Sequence, residues 1–313
     1  MTARLRITTV LAGLAIAAPL PVAHAAAMCP ASWKLTGTDS FRAADALVRS
    51  QGVTSDGHGW IFSWQGGMER TLDDYTPTAI GAISPQFVPS VSASGENHIA
   101  DTHIGDIDTY HGLIYAPEED GGESLGPLQL NDPEYQRPHI ALYDARTLAY
   151  TGVSYPLDVG ISEAGVPWVA IDARRQQVYT AEWDMPHDRL NVFDLQMGFK
   201  RFLALRYPAS LGAGFHLSRI QGAKVWGHLL YATRDDAAKT VFSIDLRTGE
   251  VTRLFSLNPS TPHAELEGLA VRRTADGALL HVLIVLNNDL PNEATQIHVD
   301  FDHYAPVGSG PCS

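Results

Sequence analysis

The sequence lacks the local motifs of several large enzyme classes. Its 313 residues contain no Gly-x-Ser-x-Gly elbow, no His-Glu-x-x-His pair, no phosphate-binding loop and no dinucleotide-binding glycine pattern. Each motif matters because it fixes a nucleophile, a metal or a phosphate on a defined turn. The sequence therefore gives no support to a serine hydrolase, a zincin, a kinase or a nicotinamide-dependent enzyme.

Cysteine is scarce as well. The only two cysteines, Cys29 and Cys312, stand near the two ends of the chain. In an oxidising compartment this placement predicts one disulfide that joins the termini of a closed ring, with two free thiols as the alternative. Closing a loop of this length stabilises the fold by about 4–5 kcal/mol in the chain-entropy model.

Long apolar runs are confined to the first 25 residues. Arg4 and Arg6 precede an uncharged apolar stretch, and Ala23-His24-Ala25 supplies a small-x-small cleavage pattern. The stretch is short and interrupted by prolines, which disfavours a membrane helix. We expect residues 1–25 to be a signal peptide, residues 26–313 to form a single domain, and the protein to be secreted or periplasmic.

Basic residues are outnumbered by acidic ones. The chain has 22 Lys and Arg against 35 Asp and Glu, a formal net charge of -13, which becomes -15 if Arg4 and Arg6 leave with the leader. An acidic surface repels nucleic-acid phosphates and anionic lipids but is compatible with divalent cations. We expect a monomer whose partner is a small-molecule substrate, with neither nucleic acid nor membrane as a partner.

The most informative feature that is present is a repeat of about 50 residues. Three β-rich segments that run into a turn contain aspartates 50 and 51 residues apart, namely Asp144, Asp194 and Asp245. A repeat of this length with several strands per unit is typical of a β-propeller, whose blades bury their faces only by stacking on each other. We assign the three aspartates to turns, where the carboxylate accepts hydrogen bonds from the following amides.

A second set of segments predicts the innermost strand of each blade. These segments share a glycine or another small residue at the start and begin near residues 51, 104, 167, 221 and 267. Residues 29–50 are then left to complete the last blade. We predict an all-β propeller of five blades, with six blades as the alternative if Thr76–Ala100 holds a weak one. The acidic insertion Pro117–Pro138, which includes Glu118 and Glu119, is expected to be mostly a solvated loop.

The starts of the innermost strands form the candidate site, because they face the central channel and converge at one mouth. Oxygen donors from separate blades suit Ca²⁺, which takes about six to eight oxygen ligands, and a histidine beside them suits a general base. The predicted metal ligands are Asp106 and Glu267, the predicted base is His103, and the predicted substrate contacts are Gln51, Gln221, Trp168 and Asn288.

Each of these residues also has a structural interpretation. Asp106 and Asp108 are suited to capping a hairpin, and His103 is suited to a hydrogen-bonded structural role. Trp168 is more typical of blade packing than of a substrate platform. Glu267 is the strongest candidate for a metal ligand, because burying a carboxylate at a strand start is unfavourable unless it has a partner.

Two short segments resemble known families. Glu267-Gly268-Leu269-Ala270 at a predicted strand start resembles the calcium-dependent lactonases of the gluconolactonase and paraoxonase type. This resemblance implies that a channel cation polarises a lactone or ester carbonyl and that an acid or histidine activates water. Ser50-Gln51-Gly52-Val53, with Asp56-Gly57 beyond it, is similar to the opening strand of the propeller-type glutaminyl cyclases, which are secreted and have five blades.

The expected function is therefore metal-assisted hydrolysis of a small lactone or ester at the channel. Acyl transfer of the glutaminyl-cyclase kind is one alternative. A secreted binding module without enzymatic activity is the other, and a channel plugged by side chains would favour it.

Overall fold

The computed structural model describes residues 28–82, 89–91, 97–99, 103–119, 138–158, 160–161, 165–185, 187–259, 261, 264–286 and 297–311. The expected signal peptide, Cys312 and Asn288 lie outside these residues. The proposed Cys29–Cys312 disulfide therefore stays a prediction. No helix in the part of the chain that is described has the length and apolar character needed to span a membrane.

The chain forms five antiparallel blades, as the repeat predicts. The first strand, β1 (Met28–Arg42), belongs to the last blade. Blade 1 contains β2 (Val53–Thr54), β3 (Trp60–Trp64), β4 (Gly67–Thr71) and β5 (Pro77–Ala82). A separate hairpin of β6 (Pro89–Val91) and β7 (Asn97–Ile99) follows. Blade 2 contains β8 (His103–Ile104), β9 (Asp108–Tyr110), β10 (Leu113–Glu119), β11 (His139–Asp144) and β12 (Tyr150–Pro156), with β8 and β9 sharing the innermost position.

The remaining blades repeat the pattern of four strands. Blade 3 contains β13 (Ala170–Asp172), β14 (Gln177–Thr180), β15 (Arg189–Asp194) and β16 (Phe199–Ala204). Blade 4 contains β17 (Ile220–Trp226), β18 (Leu229–Arg234), β19 (Thr240–Asp245) and β20 (Val251–Ser256). Blade 5 contains β21 (Glu265–Val271), β22 (Leu280–Val285), β23 (His298–Pro311) and, outermost, β1. Helical structure is limited to α1 (Ala43–Leu47) and a 3₁₀ turn (Ala209–Leu211) in the described ranges.

The region proposed for a sixth blade does not form a blade in its described part. Residues Pro77–Ala82 form the outermost strand of blade 1, and the short hairpin of β6 and β7 follows it. Two three-residue strands cannot bury a blade face. The arrangement therefore has five blades.

The ring closes where strands from the two ends of the chain pair with each other. Strand β1 pairs with β23 from Met28 opposite Pro311 to Arg42 opposite His298, with a register shift between Leu35 and Gly37. The N-terminal segment thus supplies the fourth strand of the last blade, as expected. This register also places the backbone of Cys29 opposite Gly310.

Each interface between neighbouring blades has its own apolar cluster. On β3, Ile61 packs toward blade 2, whereas its neighbours Trp60 and Phe62 pack toward blade 5. Successive side chains of a strand point to opposite faces, so a blade buried on both sides needs a continuous apolar run. The short apolar segments of the sequence meet this need.

The turn assignment of the repeat aspartates is confirmed. The Asp144 carboxylate accepts hydrogen bonds from the amides of Arg146 (3.1 Å) and Thr147 (2.8 Å), and the Asp245 carboxylate accepts one from the Arg247 amide (2.7 Å). Asp194 accepts bonds from the amides of Gln196 (3.1 Å) and Gly198 (2.8 Å). The Thr147 hydroxyl and the turn amides stabilise the charged form and hold the pKa of Asp144 below its usual range.

Candidate functional site

The starts of the innermost strands meet at one end of the ring, as the sequence predicts. The Gly268 amide of blade 5 donates to the Gln51 carbonyl of blade 1 (2.7 Å). The Asp106 amide of blade 2 donates to the Pro167 carbonyl of blade 3 (2.9 Å). Backbone contacts of this kind can form only where the strands converge on the propeller axis.

Glycines allow this convergence. A Cβ atom at Gly268 would lie 2.6 Å from the Gly52 Cα and 2.7 Å from an Asp106 carboxylate oxygen. A Cβ atom at Gly222 would lie 2.6 Å from the Gly268 Cα. Only a residue without a side chain fits where backbones approach so closely. Gly268, part of the lactonase-like segment, is therefore explained by packing.

Asp106 fills the space between these glycines, and we call Asp106, Lys224, Gly52, Gly222 and Gly268 the axis cluster. One Asp106 oxygen accepts a hydrogen bond from the Val53 amide (2.9 Å). The other accepts bonds from the Ala223 amide (3.0 Å) and the Lys224 ammonium (2.6 Å). Burial raises the pKa of Asp106 to about 7, and the Lys224 ammonium opposes that rise. Asp106 thus ties blade 2 to blades 1 and 4.

Asp108, two residues after Asp106 and the first residue of β9, has the same role. One of its oxygens accepts a hydrogen bond from the Ile171 amide of blade 3 (2.8 Å), and the other accepts one from the Thr54 hydroxyl of blade 1 (3.2 Å). Burial raises the pKa of Asp108. Asp106 and Asp108 therefore both act as polar links between blades.

The residues at the axis do not fit the predicted calcium site. Both Asp106 oxygens already accept hydrogen bonds, and the Lys224 ammonium stands where a cation would bind the carboxylate. Glu267 is buried, and its backbone carbonyl accepts a hydrogen bond from the Thr233 hydroxyl (2.6 Å). Among the residues that the structure describes, no three His, Cys, Asp or Glu side chains are grouped to hold a metal. The charge that the resemblance assigns to a calcium ion is supplied at Asp106 by a lysine.

His103 lies at the mouth of the channel, three residues before Asp106, in a group that we call the mouth cluster: Gln51, His103 and Glu119. The ring Nε2 lies 2.6 Å from the Gln51 amide oxygen, and Nδ1 lies 3.2 Å from a Glu119 carboxylate oxygen. The other Glu119 oxygen accepts a hydrogen bond from the Val166 amide. The His103 side chain keeps 15% of its surface exposed, whereas Asp106 has none. The mouth cluster is thus the reachable part of the predicted site.

The two partners of the His103 ring constrain where its protons can lie. The Glu119 carboxylate, 3.2 Å from Nδ1, favours a proton on that nitrogen, which leaves Nε2 as the basic nitrogen of the neutral ring. The Gln51 amide partners either state of the ring, because it can present its NH₂ group to the neutral form and its oxygen to the imidazolium. A carboxylate on one ring nitrogen and an exchangeable polar partner on the other is an arrangement suited to a general base.

Gln221 does not join His103. Its amide donates to the Glu265 carboxylate (3.0 Å), so the two glutamines of the predicted site belong to separate pairs. Trp168 is fully buried and packs in the apolar cluster between blades 3 and 4, where its indole N–H has no partner in the described structure. Its burial agrees with the packing interpretation.

Two residues were missed by the sequence analysis. Glu118 and Glu119, expected to be mostly solvated, are buried at the end of β10. The Glu118 carboxylate lies 3.0 Å from the His139 Nε2 and accepts a hydrogen bond from the Tyr143 hydroxyl, whereas Glu119 forms an ion-pair contact with the His103 Nδ1 (3.2 Å). Both glutamates are buried because β10 extends through them and places Glu119 opposite His103, which no local sequence signal indicates. Lys224 gave no signal either, because its partner is 118 residues away.

Comparisons with known proteins return solved structures at low identity. One is a chain of the nidogen/laminin complex, with 15% identity over 70% of this chain and 66% of that chain and a TM-score of 0.41. Another is luciferin-regenerating enzyme, with 10% identity over 88% of this chain and 98% of that chain and a TM-score of 0.45. A third is hydrazine synthase of Kuenenia stuttgartiensis, with 13% identity over 79% of this chain and 58% of that chain and a TM-score of 0.42. No protein-family model and no curated protein sequence matches the chain.

Proposed function

We propose that this propeller is a hydrolase of small lactones or esters that works at the channel mouth, with His103 as its general base. The observation that carries the proposal is the position of His103, held between Glu119 and Gln51 and partly open to solvent. The closed axis cluster forms a floor beneath the mouth. A substrate would bind above this floor and would not pass through the channel.

The chemistry needs only the residues of the mouth cluster and water. His103 Nε2 takes a proton from water as the water oxygen bonds to the carbonyl carbon. The acyl C–O bond then breaks, and the imidazolium returns the proton to the departing alkoxide. Glu119 is a positioning residue, since it fixes Nδ1–H and stabilises the imidazolium. Gln51 occupies Nε2 until water replaces it, and its NH₂ group can then hold the carbonyl oxygen.

The test is a turnover screen of the purified protein on lactones, esters and N-terminal glutaminyl peptides. With the substrate that turns over, His103→Ala should lower kcat/KM by about 10²–10⁴-fold, because a general base contributes that much. Glu119→Gln should lower the rate less and move the acid limb of the pH–rate profile to lower pH, because a neutral amide stabilises the imidazolium less. His58→Ala, on an exposed turn at the opposite end of blade 1, is the matched control and should leave the rate unchanged.

Turnover of a lactone or ester that is unchanged in His103→Ala would refute the proposed base. Turnover of glutaminyl peptides alone would replace hydrolysis by the acyl-transfer alternative. Circular dichroism of each variant checks that the fold is retained.

The closed axis favours one other function, a binding module without catalysis. Asp106, Lys224 and the three glycines plug the channel, which is the arrangement expected for a propeller used as a scaffold. The outermost strand of blade 3 also exposes Phe199 and Phe202, whose ring centroids are 4.8 Å apart. This function predicts that the wild-type protein turns over none of the three substrate classes.

A further inference from the structure

Two histidines and an aspartate cross the outer strands of blade 5, where the N-terminal strand closes the ring. His281 of β22 and His303 of β23 face each other with their Nδ1 atoms 2.7 Å apart. The His281 Nε2 lies 2.7 Å from the Arg272 carbonyl oxygen, and the His303 Nε2 lies 2.8 Å from the Asp39 carboxylate of β1. One chain of hydrogen bonds therefore connects three adjacent strands.

Counting protons in this chain fixes its charge. A carbonyl oxygen only accepts, so His281 carries a proton on Nε2. The contact between the two Nδ1 atoms needs one proton, and the contact with an ionised Asp39 needs another on the His303 Nε2. Two neutral rings have only two N–H groups in total. With Asp39 ionised, the three contacts together therefore require the histidine pair to hold one extra proton.

Asp39 is suited to balance this charge. Its side chain is half exposed, and it accepts a hydrogen bond from the Tyr75 hydroxyl (2.6 Å). Burial and the bond to Asp39 raise the pKa of Tyr75, so this hydroxyl stays a donor. An oxygen that already accepts from tyrosine and faces a histidine N–H is best ionised.

The surroundings of the pair are mixed in charge. Charged and titratable groups face it from the neighbouring strands and loops, namely Tyr75, Arg272, Asp276 and Asp302, with Arg49 and Asp73 acting on Tyr75. The Arg272 guanidinium is itself paired with Asp73 (2.6 Å). Trp60 and Phe301 cover the His281 ring at centroid distances of 4.8 and 5.8 Å. Water is thereby kept from one end of the chain, while Asp39 is exposed at the other.

We propose that Asp39, His303 and His281 form a single-proton clasp that fastens the closing strand β1 to the last blade. The clasp holds best when the histidine pair carries one proton. Loss of that proton leaves two acceptors facing each other across a contact of 2.7 or 2.8 Å. A second proton places two N–H groups against each other instead. Ring closure is therefore weakened on both sides of an intermediate pH.

The burial of His281 supports the acid side of this behaviour. Burial and the neighbouring His303 lower the pKa of His281 to about 4. A lowered histidine pKa means that the unfolded chain takes up this proton at higher pH than the folded protein does. The contribution of His281 to stability is thus complete above the unfolded value of 6.5 and is lost as the pH drops toward 4, by up to about tenfold in the folded-to-unfolded ratio per pH unit.

The direct test counts ring protons by ¹⁵N NMR of histidine-labelled wild-type protein at pH 6.5. We expect three N–H groups on His281 and His303 together, two on His303 and one on the His281 Nε2. One N–H group on each ring would overturn the proposal. This measurement uses the unaltered protein and so does not depend on a variant that folds.

The functional test follows deuterium uptake of β1, corrected for the intrinsic rate, between pH 4.5 and 8.5. In the wild type, uptake should be slowest at an intermediate pH and should rise toward both acid and alkaline pH. The rise toward acid pH should be absent in His281→Gln, and the rise toward alkaline pH should be absent in His303→Gln. The outermost strand of blade 3, β16, is the internal control. His298→Gln, which removes an ordinary pair with Asp300 (2.8 Å) on the same strand β23, should keep the rise in both directions. If the uptake of β1 still rose toward both acid and alkaline pH in His281→Gln and His303→Gln, the clasp would be refuted.

Discussion

The axis cluster and the mouth cluster are neighbours, since Asp106 of the first and His103 of the second are three residues apart in blade 2, yet their surroundings differ. Asp106 has no exposed surface, and both of its oxygens accept hydrogen bonds from neighbouring blades. His103 is partly exposed, and one of its ring nitrogens faces an amide that can be exchanged for water. A buried, fully satisfied charge holds a structure together, whereas a reactive group must be reachable and only partly committed. The axis cluster therefore has the features of a structural element, and the mouth cluster is where we propose the chemistry.

The largest expected effect separates the two clusters by stability. Asp106→Ala leaves the Lys224 ammonium buried without its partner, so we expect the free energy of unfolding to fall by about 3–5 kcal/mol. Urea denaturation measures the loss. Replacing both charges, in Asp106→Asn with Lys224→Met, should recover part of it. Asp144→Ala, at an exposed turn, is the matched control and should cost at most about 1 kcal/mol. An Asp106→Ala protein as stable as the wild type would remove the structural role.

A smaller effect is expected from the glycines of the axis cluster. Gly268→Ala would place a methyl group 2.6 Å from the Gly52 Cα and 2.8 Å from the Gln51 carbonyl oxygen. Backbone atoms cannot move aside as a flexible side chain does, so we expect a loss of about 1–3 kcal/mol or more. Gly37→Ala is the control, since the nearest atom to its new Cβ is the His303 Cδ2 at 3.8 Å. Equal melting temperatures for the two variants would contradict a closed axis.

The smallest effect concerns the cation. If Lys224 supplies the positive charge at Asp106, removal of calcium by a chelator should leave the melting temperature of the wild-type protein unchanged. Elemental analysis before and after chelation completes the measurement. One calcium ion per chain, lost together with stability, would instead support the channel cation that the sequence resemblance implies.

The fold was largely predictable because a propeller repeats the same local solution. The segments around Asp144, Asp194 and Asp245 predicted a strand that runs into a turn in three of the blades, and each of these carboxylates accepts hydrogen bonds from its turn amides. The closing role of the N-terminal segment followed from counting strands. The mouth was also predicted, since strand starts converge in any propeller. His103 and Gln51, expected there as separate contributors, are hydrogen-bonded to each other.

The partners of the charged residues were not predictable. Asp106 and Lys224 are 118 residues apart, and no local pattern links them. Glu119 reads as part of an acidic insertion until β10 is seen to extend through it to reach His103. A carboxylate at the axis therefore suggested a calcium ion, whereas the partner that the structure gives Asp106 is the Lys224 ammonium of blade 4.

The sequence by itself determined the propeller architecture, the closing role of the N-terminal segment and several of the residues that gather near the axis, because these follow from local periodicity and from the geometry of a closed ring. Only the tertiary structure decided which of those residues are buried, which are paired and which remain open to solvent. The physical reason is that burial and pairing depend on contacts between blades far apart in sequence, and these contacts decide whether a carboxylate or a histidine stabilises the fold or is free to act.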